Sequence, residues 1–190
     1  MEEAQVRQLL VGTGAILEGH FLLTSGLHSP LYVEKFQALQ WPEHTAAMCR
    51  ALADKFKNER IDVVVGPVTG GILLAHEVGK NLGTRAIFTE RESGKMTLRR
   101  GFVIQPGERV LVVEDIVTTG GSVHEVIEVV KAQGGELVGV GLLVDRSGGK
   151  ADFGVRTEGL LHLTVPTHIP QDCPLCEAGI PLTKRGRTGK

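Results

Sequence analysis

Two adjacent carboxylates, Glu114 and Asp115, close a four-residue apolar run, Val110, Leu111, Val112 and Val113. A loop of small and hydroxyl residues follows: Thr118, Thr119, Gly120, Gly121 and Ser122. The chemistry open to this set is the holding of a sugar phosphate. Vicinal sugar hydroxyls donate hydrogen bonds to carboxylates, and the same hard oxygens help hold Mg²⁺. The Thr/Gly loop offers a phosphate backbone N–H groups, hydroxyls and the partial positive charge of a helix start. A turn that merely caps a helix with Thr or Ser does not need two acids at the end of a buried strand.

Two elements must position these groups. The β-branched run fits a buried strand of a parallel sheet. Val123, Val126, Ile127 and Val130 recur at i, i+3, i+4 and i+7, the stripe of an amphipathic helix. Strand, acids, loop and helix place a ligand at the carboxyl end of a parallel strand. A second unit repeats the logic. Residues 61–66, IDVVVG, read as a strand that enters Pro67, Val68, Thr69, Gly70 and Gly71. A helix with Ile72, Ala75, Gly79 and Leu82 on one face follows, so Thr69 and Gly70 mark a second anion site.

The remaining chain frames these units. Val6, Leu9 and Leu10 predict a short first helix over residues 1–11. Two short strands are predicted near residues 21–24 and 31–34, joined by a turn through Gly26 and Pro30; they stand outside the βα rhythm and should form a cap beside the sheet. Residues 42–57 predict a helix with Pro in its first turn and Cys49, Leu52, Ala53 and Phe56 buried. Strands are predicted at residues 85–89, 102–104, 136–144 and 160–165. Residues 90–101, ERESGKMTLRRG, have no apolar period and read as a solvated loop or hairpin, or as a mobile lid carrying cations. The tail holds Cys173-Pro-Leu-Cys176, a weak zinc signal with His168 as a third ligand and no fourth evident. KRGRTGK ends the chain and reads as disordered.

Composition bounds the answer. The 190 residues suit one domain: a cap over about residues 12–40, a core over 41–165 and a tail over 166–190. Lys and Arg number 21 against 22 Asp and Glu, a net charge of −1, which argues against a dedicated nucleic-acid binder. No long apolar run and no signal-peptide pattern is present, and three cysteines fit a reducing cytoplasm.

The stretch VLVVEDIVTTGGS resembles the phosphoribosyl diphosphate (PRPP) binding motif of type I phosphoribosyltransferases. FLLTSGLHSPLYVE is similar to the substrate segment of orotate phosphoribosyltransferases, with Phe21, Leu23, Ser25, Gly26, Ser29 and Pro30 matching; Thr24 stands where many members have Lys. The resemblance implies an α/β fold of the type I phosphoribosyltransferase kind, a mostly parallel sheet flanked by helices with a small N-terminal hood. It implies transfer of the phosphoribosyl group from PRPP to orotate, giving orotidine 5′-monophosphate and diphosphate in pyrimidine synthesis. Glu114 and Asp115 would hold the ribose, and Thr118 to Ser122 the 5′-phosphate. Thr69 and Gly70 would sit in the diphosphate loop. Ser25, Gly26, Tyr32, Thr118 and Arg146 would meet orotate. Arg91 and Lys95 would be the lid cations, acting with Asp115 in catalysis. Arg99 and Arg100 either take the place of a loop His common in the family or only begin the next strand. Mg²⁺ would be held mainly by PRPP, without a firm protein ligand. A homodimer with the lid shared across its interface is implied, in the cytoplasm, with no membrane or nucleic-acid partner. The alternatives are a purine phosphoribosyltransferase and a non-catalytic PRPP-sensing regulator.

Overall fold

A computed structural model of the chain describes residues 1–23 and 25–185. Thr24 and the tail residues 186–190, which carry expectations above, lie outside the described residues.

The apolar runs become the centre of a six-stranded sheet. Strands β3 (Val63–Pro67), β4 (Arg85–Glu92), β6 (Arg109–Val117), β7 (Glu136–Asp145) and β8 (Arg156–His162) run parallel. Strand β5 (Lys95–Leu98) lies antiparallel on β4 at the edge, and the order across the sheet is β5-β4-β3-β6-β7-β8. Val63 to Val65 and Val110 to Val113 are fully buried, as strands covered on both faces require. Helix α4 (Gly70–Leu82) links β3 to β4, and α5 (Gly121–Ala132) links β6 to β7.

The two connections leave on opposite faces. Leu74, Ala75 and Val78 of α4 pack with α1 (Glu3–Gly12) and α3 (Pro42–Phe56) against Val64, Leu111 and Val113. Val123, Val126, Ile127 and Val130 of α5 pack against Val63, Val65, Val110 and Val112 on the other side. A crevice therefore opens between the carboxyl ends of β3 and β6, where open α/β sheets bind ligands. Helix α3 approaches β7 closely because Gly139 and Gly141 leave room: a Cβ there would lie 2.7 Å from the Phe56 ring and 3.1 Å from Leu52.

Strands β1 (Ile16–Leu22) and β2 (His28–Val33) form the antiparallel cap hairpin, and α2 (Phe36–Leu39) leads from it to α3. The tail returns to the cap. A 3₁₀ turn (Pro170–Asp172) and the short α6 (Pro174–Glu177) precede β9 (Thr183–Lys184), which pairs parallel with β1. No helix of the described residues is long and apolar enough to cross a membrane.

Several predicted boundaries move. Strand β1 begins at Ile16 and Pro30 lies inside β2, so the turn includes Leu23 and Ser25 to Leu27, with Gly26 at φ +83°. Strand β6 runs through both acids to Val117, because pairing with β7 continues to Asp145 and outweighs the polar side chains. Residues 102–104 form no strand; Phe102 instead stacks edge-on against Phe88. The last parallel strand is Arg156–His162 rather than residues 160–165, set by its register with Gly139 to Asp145. Helix α4 buries Leu74 and Val78 where Ile72 and Leu82 were expected.

Candidate active site

Period-2 alternation along β6 sends the two acids to opposite faces of the sheet. Glu114 shares the side of Val110 and Val112, beneath α5, while Asp115 shares the side of Leu111 and Val113, beside α4. Both are buried, at 8% and 2% exposure. The Asp115 backbone N–H donates to Glu114 Oε1 at 3.0 Å, which curls the Glu114 side chain against the strand. Burial first, and the neighbouring Asp115 charge second, push the Glu114 carboxyl up to about 8.

Glu114 walls a cavity of about 250 Å³ with Thr118, Thr119, Gly120, Gly121 and Ser122, and Arg91 and Glu125 close its far side. The loop residues stand at the N-terminus of α5, a helix of three turns, so its free N–H groups and positive dipole end face the cavity. Gly120 must be glycine twice over: its φ is +81°, and a Cβ would lie 2.9 Å from the Phe153 ring.

Asp115 reaches the other loop of the crevice. Its Oδ2 is buried without a hydrogen-bond partner among the described residues and lies 1.7 Å from where a Cβ on Gly70 would stand. Gly66 and Gly71 also touch, since a Cβ on Gly66 would be 2.2 Å from the Gly71 carbonyl oxygen. Residues 66–71 are thus folded tightly under the carboxylate, with the Val68–Thr69 peptide cis. The second oxygen, Oδ1, accepts from Lys35 Nζ at 2.7 Å. Lys35 follows the cap hairpin and was not among the residues expected at the site. Its isolation between Glu34 and Phe36 gave no pattern to find it by, and only the folding of the cap over the sheet brings it to β6.

On the cap side, Tyr32 of β2 is half-buried, packs its ring 5.6 Å from Phe21 and lies within electrostatic reach of Arg146. The Arg146 side chain leaves the end of β7, where its backbone N–H donates to Val117. Its Nε is buried and has no hydrogen-bond partner among the described residues, and burial lowers the guanidinium below its usual range. Ser25 and Gly26 lie exposed in the hairpin turn, where the Leu27 N–H donates weakly to Ser25 Oγ at 3.4 Å.

Residues 90–101 form a hairpin. Arg91 pairs with Met96 and Glu92 with Lys95 across β4 and β5, and Ser93 and Gly94 turn with positive φ. Arg91 donates to Glu125 Oε1 at 2.8 Å, and its other terminal nitrogen donates to Gly94 O at 2.9 Å, holding the turn to α5. Lys95 is not brought to the acids. It lines a separate, mainly apolar groove with Met96, His124 and Glu128. Arg100 forks onto Glu90 at 2.9 and 3.2 Å, and Arg99 lies 3.3 Å from Glu92, so both brace the hairpin base.

The crevice thus offers an anion cavity at one helix start, a glycine-tight loop opposite, buried acids between them and a planar cation beneath an aromatic cap. Residues 37–152 match the family model for the phosphoribosyl transferase domain. The chain is 56% identical to the orotate phosphoribosyltransferase of Desulforamulus reducens, over 98% of this chain and 97% of that protein. It is 54% identical to the enzyme of the same name from Caldanaerobacter subterraneus, over 98% of each. Among solved structures, the orotate phosphoribosyltransferase of Aeropyrum pernix superimposes with a TM-score of 0.68 at 28% identity, covering 83% of this chain and 93% of that one.

Proposed function

The chain belongs to the phosphoribosyl transferase domain family, among its orotate phosphoribosyltransferases, and we infer from that membership how its crevice works. The reaction is orotate plus PRPP giving orotidine 5′-monophosphate and diphosphate. The observation that carries the site reading is that two of the buried side-chain atoms left without a partner among the described residues face the crevice. Asp115 Oδ2 faces the loop at Gly70, and Arg146 Nε lies near the cap's Tyr32. Buried polar atoms without partners are costly and point to a ligand that completes them.

In this reading the 5′-phosphate sits in the cavity of Thr118 to Ser122 and takes the α5 N–H groups and hydroxyls. The diphosphate lies over Thr69 and Gly70, where only backbone can approach. Glu114 and Asp115 hold the ribose hydroxyls from the two sides of the strand end. As the bond from the anomeric carbon to diphosphate loosens, positive charge grows on the ribose, and the fixed Asp115 carboxylate favours it. Tyr32 covers the orotate ring, with Ser25, Gly26 and Thr118 at its edges, and Arg146 takes its carboxylate through a planar fork. Mg²⁺ would be held mainly by the oxygens of PRPP, with the Asp115 carboxylate nearby, and would help neutralise the leaving diphosphate.

Arg91 and Lys95 are the lid cations. The separation of Lys95 from the acids of its own chain supports a homodimer in which the hairpin serves the neighbouring site. A reducing cytoplasmic setting suits the three free cysteines. The test is loss of orotate absorbance on adding PRPP and Mg²⁺, with adenine, hypoxanthine and uracil in parallel. Turnover of orotate alone is expected. Turnover of a purine or uracil instead would overturn the roles given to the cap and Arg146.

A further inference from the structure

On the cap, outside the motif of Glu114 to Ser122, four metal-ligating side chains meet. His20 of β1, His28 of β2, and Cys173 and Cys176 of the tail bring one ligand atom each to within 4.8 Å of all the others. His20, His28 and Cys173 are buried, at 2%, 5% and 0% exposure, and Cys176 stands at the open side. The hairpin sets the histidines. His28 pairs with Leu22, two residues on from His20, so both imidazoles fall on one face of the cap. The tail sets the thiols: Cys173 begins α6 and Cys176 lies one turn on. His168, the third ligand expected from the sequence, supplies only backbone. It exchanges two hydrogen bonds with His28, at 2.8 and 2.9 Å, and so clamps the tail beside the cluster.

We propose that these four residues form a structural zinc site of the Cys₂His₂ type that staples the C-terminal tail to the cap hairpin. Zinc holds nitrogen at about 2.0–2.1 Å and sulfur at about 2.3 Å in a tetrahedron, which spaces neighbouring ligand atoms roughly 3.3–3.8 Å apart. The chain already approaches this. Cys173 Sγ and Cys176 Sγ lie 3.6 and 3.7 Å from His20 Nε2, and Cys176 Sγ lies 3.3 Å from His28 Nδ1. The two imidazole nitrogens are 2.9 Å apart, a few tenths short of the edge. The tautomer is prepared as well. His20 Nδ1 lies 2.7 Å from the Ile180 carbonyl oxygen, so it carries the proton, and Nε2 presents its lone pair to the cluster. A partner of this sort on the far nitrogen is how metal-binding histidines are oriented. A set of two sulfurs and two nitrogens with tetrahedral spacing selects zinc over Mg²⁺ or Ca²⁺, which take oxygen.

The staple has a functional reach, which rests on the reading of the cap as the orotate side. Ser25 and Gly26 lie in the turn between the two histidines, and β9 lies along β1 next to them. Zinc fixes both ends of that turn. Its removal should raise the KM for orotate several-fold and leave the KM for PRPP nearly unchanged.

The test uses the full chain purified under reducing conditions. Elemental analysis should find about one zinc per chain. A Co²⁺-loaded sample should show the visible bands and the sulfur-to-metal charge transfer of a tetrahedral thiolate site. Both signals should be lost in Cys173→Ser/Cys176→Ser, and Cys176→Ser alone, altered at the exposed position, should weaken retention against a chelator at least tenfold. Metal-free chain with reduced thiols, a Cys173–Cys176 disulfide in its place, or full zinc retention by the double variant would each overturn the site. These readouts need no turnover, so they stand apart from the orotate assignment. Bound zinc with unchanged orotate KM on its removal would overturn the coupling to the turn.

Discussion

Replacing Asp115 by Asn removes one charge and little volume, and the structure separates its effect on stability from its effect on catalysis. The Lys35–Asp115 pair is 2.7 Å long, with the carboxylate 2% and the lysine side chain 34% exposed. Breaking a fully buried pair costs about 3–5 kcal/mol, because a charge is left without a partner. Here the stranded charge is Lys35, which water reaches, and Asn still offers an acceptor. The expected cost is therefore nearer 1–2 kcal/mol, or a fall in Tm of roughly 2–8 °C for a chain of this size. A second effect opposes it. The Asp115 charge is one of the two causes that raise Glu114 to about 8. At pH 7 Glu114 is already mostly protonated and gains little from the substitution. At pH 9 it is ionised, and the substitution relieves its repulsion with Asp115. The Tm deficit of Asp115→Asn should therefore shrink between pH 7 and pH 9.

Catalysis has no such compensation. In the proposed reaction the carboxylate favours positive charge that develops on the ribose, and losing one preorganised electrostatic group costs about 100- to 1000-fold in turnover, or roughly 2.7–4 kcal/mol. The assays are orotate absorbance for kcat/KM and thermal melting at both pH values, on parent and variant. A kcat/KM within about threefold of the parent, in a folded variant, would refute the charge role. A deficit in Tm that is equal or larger at pH 9 would refute the repulsion between the two acids.

Other substitutions read neighbouring parts of the crevice. Gly70→Ala puts a Cβ on Asp115 Oδ2, so kcat should fall by at least about 100-fold and the KM for PRPP should rise, with a stability cost of about 1–3 kcal/mol by urea unfolding. A raised Glu114 pKa means that the folded chain holds a proton which the unfolded chain releases above its ordinary value of 4.5. Stability of the ligand-free protein should thus fall as pH rises from about 4.5 to about 8, and Glu114→Gln should flatten that slope. Lys95→Ala should lower kcat more than it changes orotate affinity. Mixed with Asp115→Asn, it should regain activity through hybrid dimers, and no recovery would leave the hairpin serving its own chain.

The parts of this molecule that were legible in the sequence are those whose cause is local. The valine runs of β3 and β6, the stripe of Val123, Val126, Ile127 and Val130, and the two glycine loops state their structure within a dozen residues, because burial on two faces, a 3.6 period and clustered small residues are each written locally. Boundaries were less legible where pairing decided them: β6 keeps its strand through Glu114 and Asp115 because β7 supplies the ladder. The separation of the acids onto two faces follows from the same fact. A strand that ended at Val113 would have let both carboxylates turn into one pocket, whereas a strand that continues must alternate them.

What the sequence hid is long-range. Lys35 meets Asp115 across 80 residues, and His20 meets Cys173 across 153. Read alone, Cys173-Pro-Leu-Cys176 is half of a zinc site, and its missing half is two histidines in a hairpin whose own pattern spoke only of a substrate turn. The same hairpin therefore answers to two constraints. Its turn must present Ser25 and Gly26 to one side, while its strand ends must present His20 and His28 to the other. Lys35, just beyond β2, ties that hairpin to the acid at the centre of the crevice. A cap held at its base by an ion pair to Asp115 and at its tip by a metal would be fixed at both ends before any substrate arrives. Preorganisation of this kind lowers the ordering cost of binding, and it gives a reason for residues 168–184 to return to the two strands of the cap.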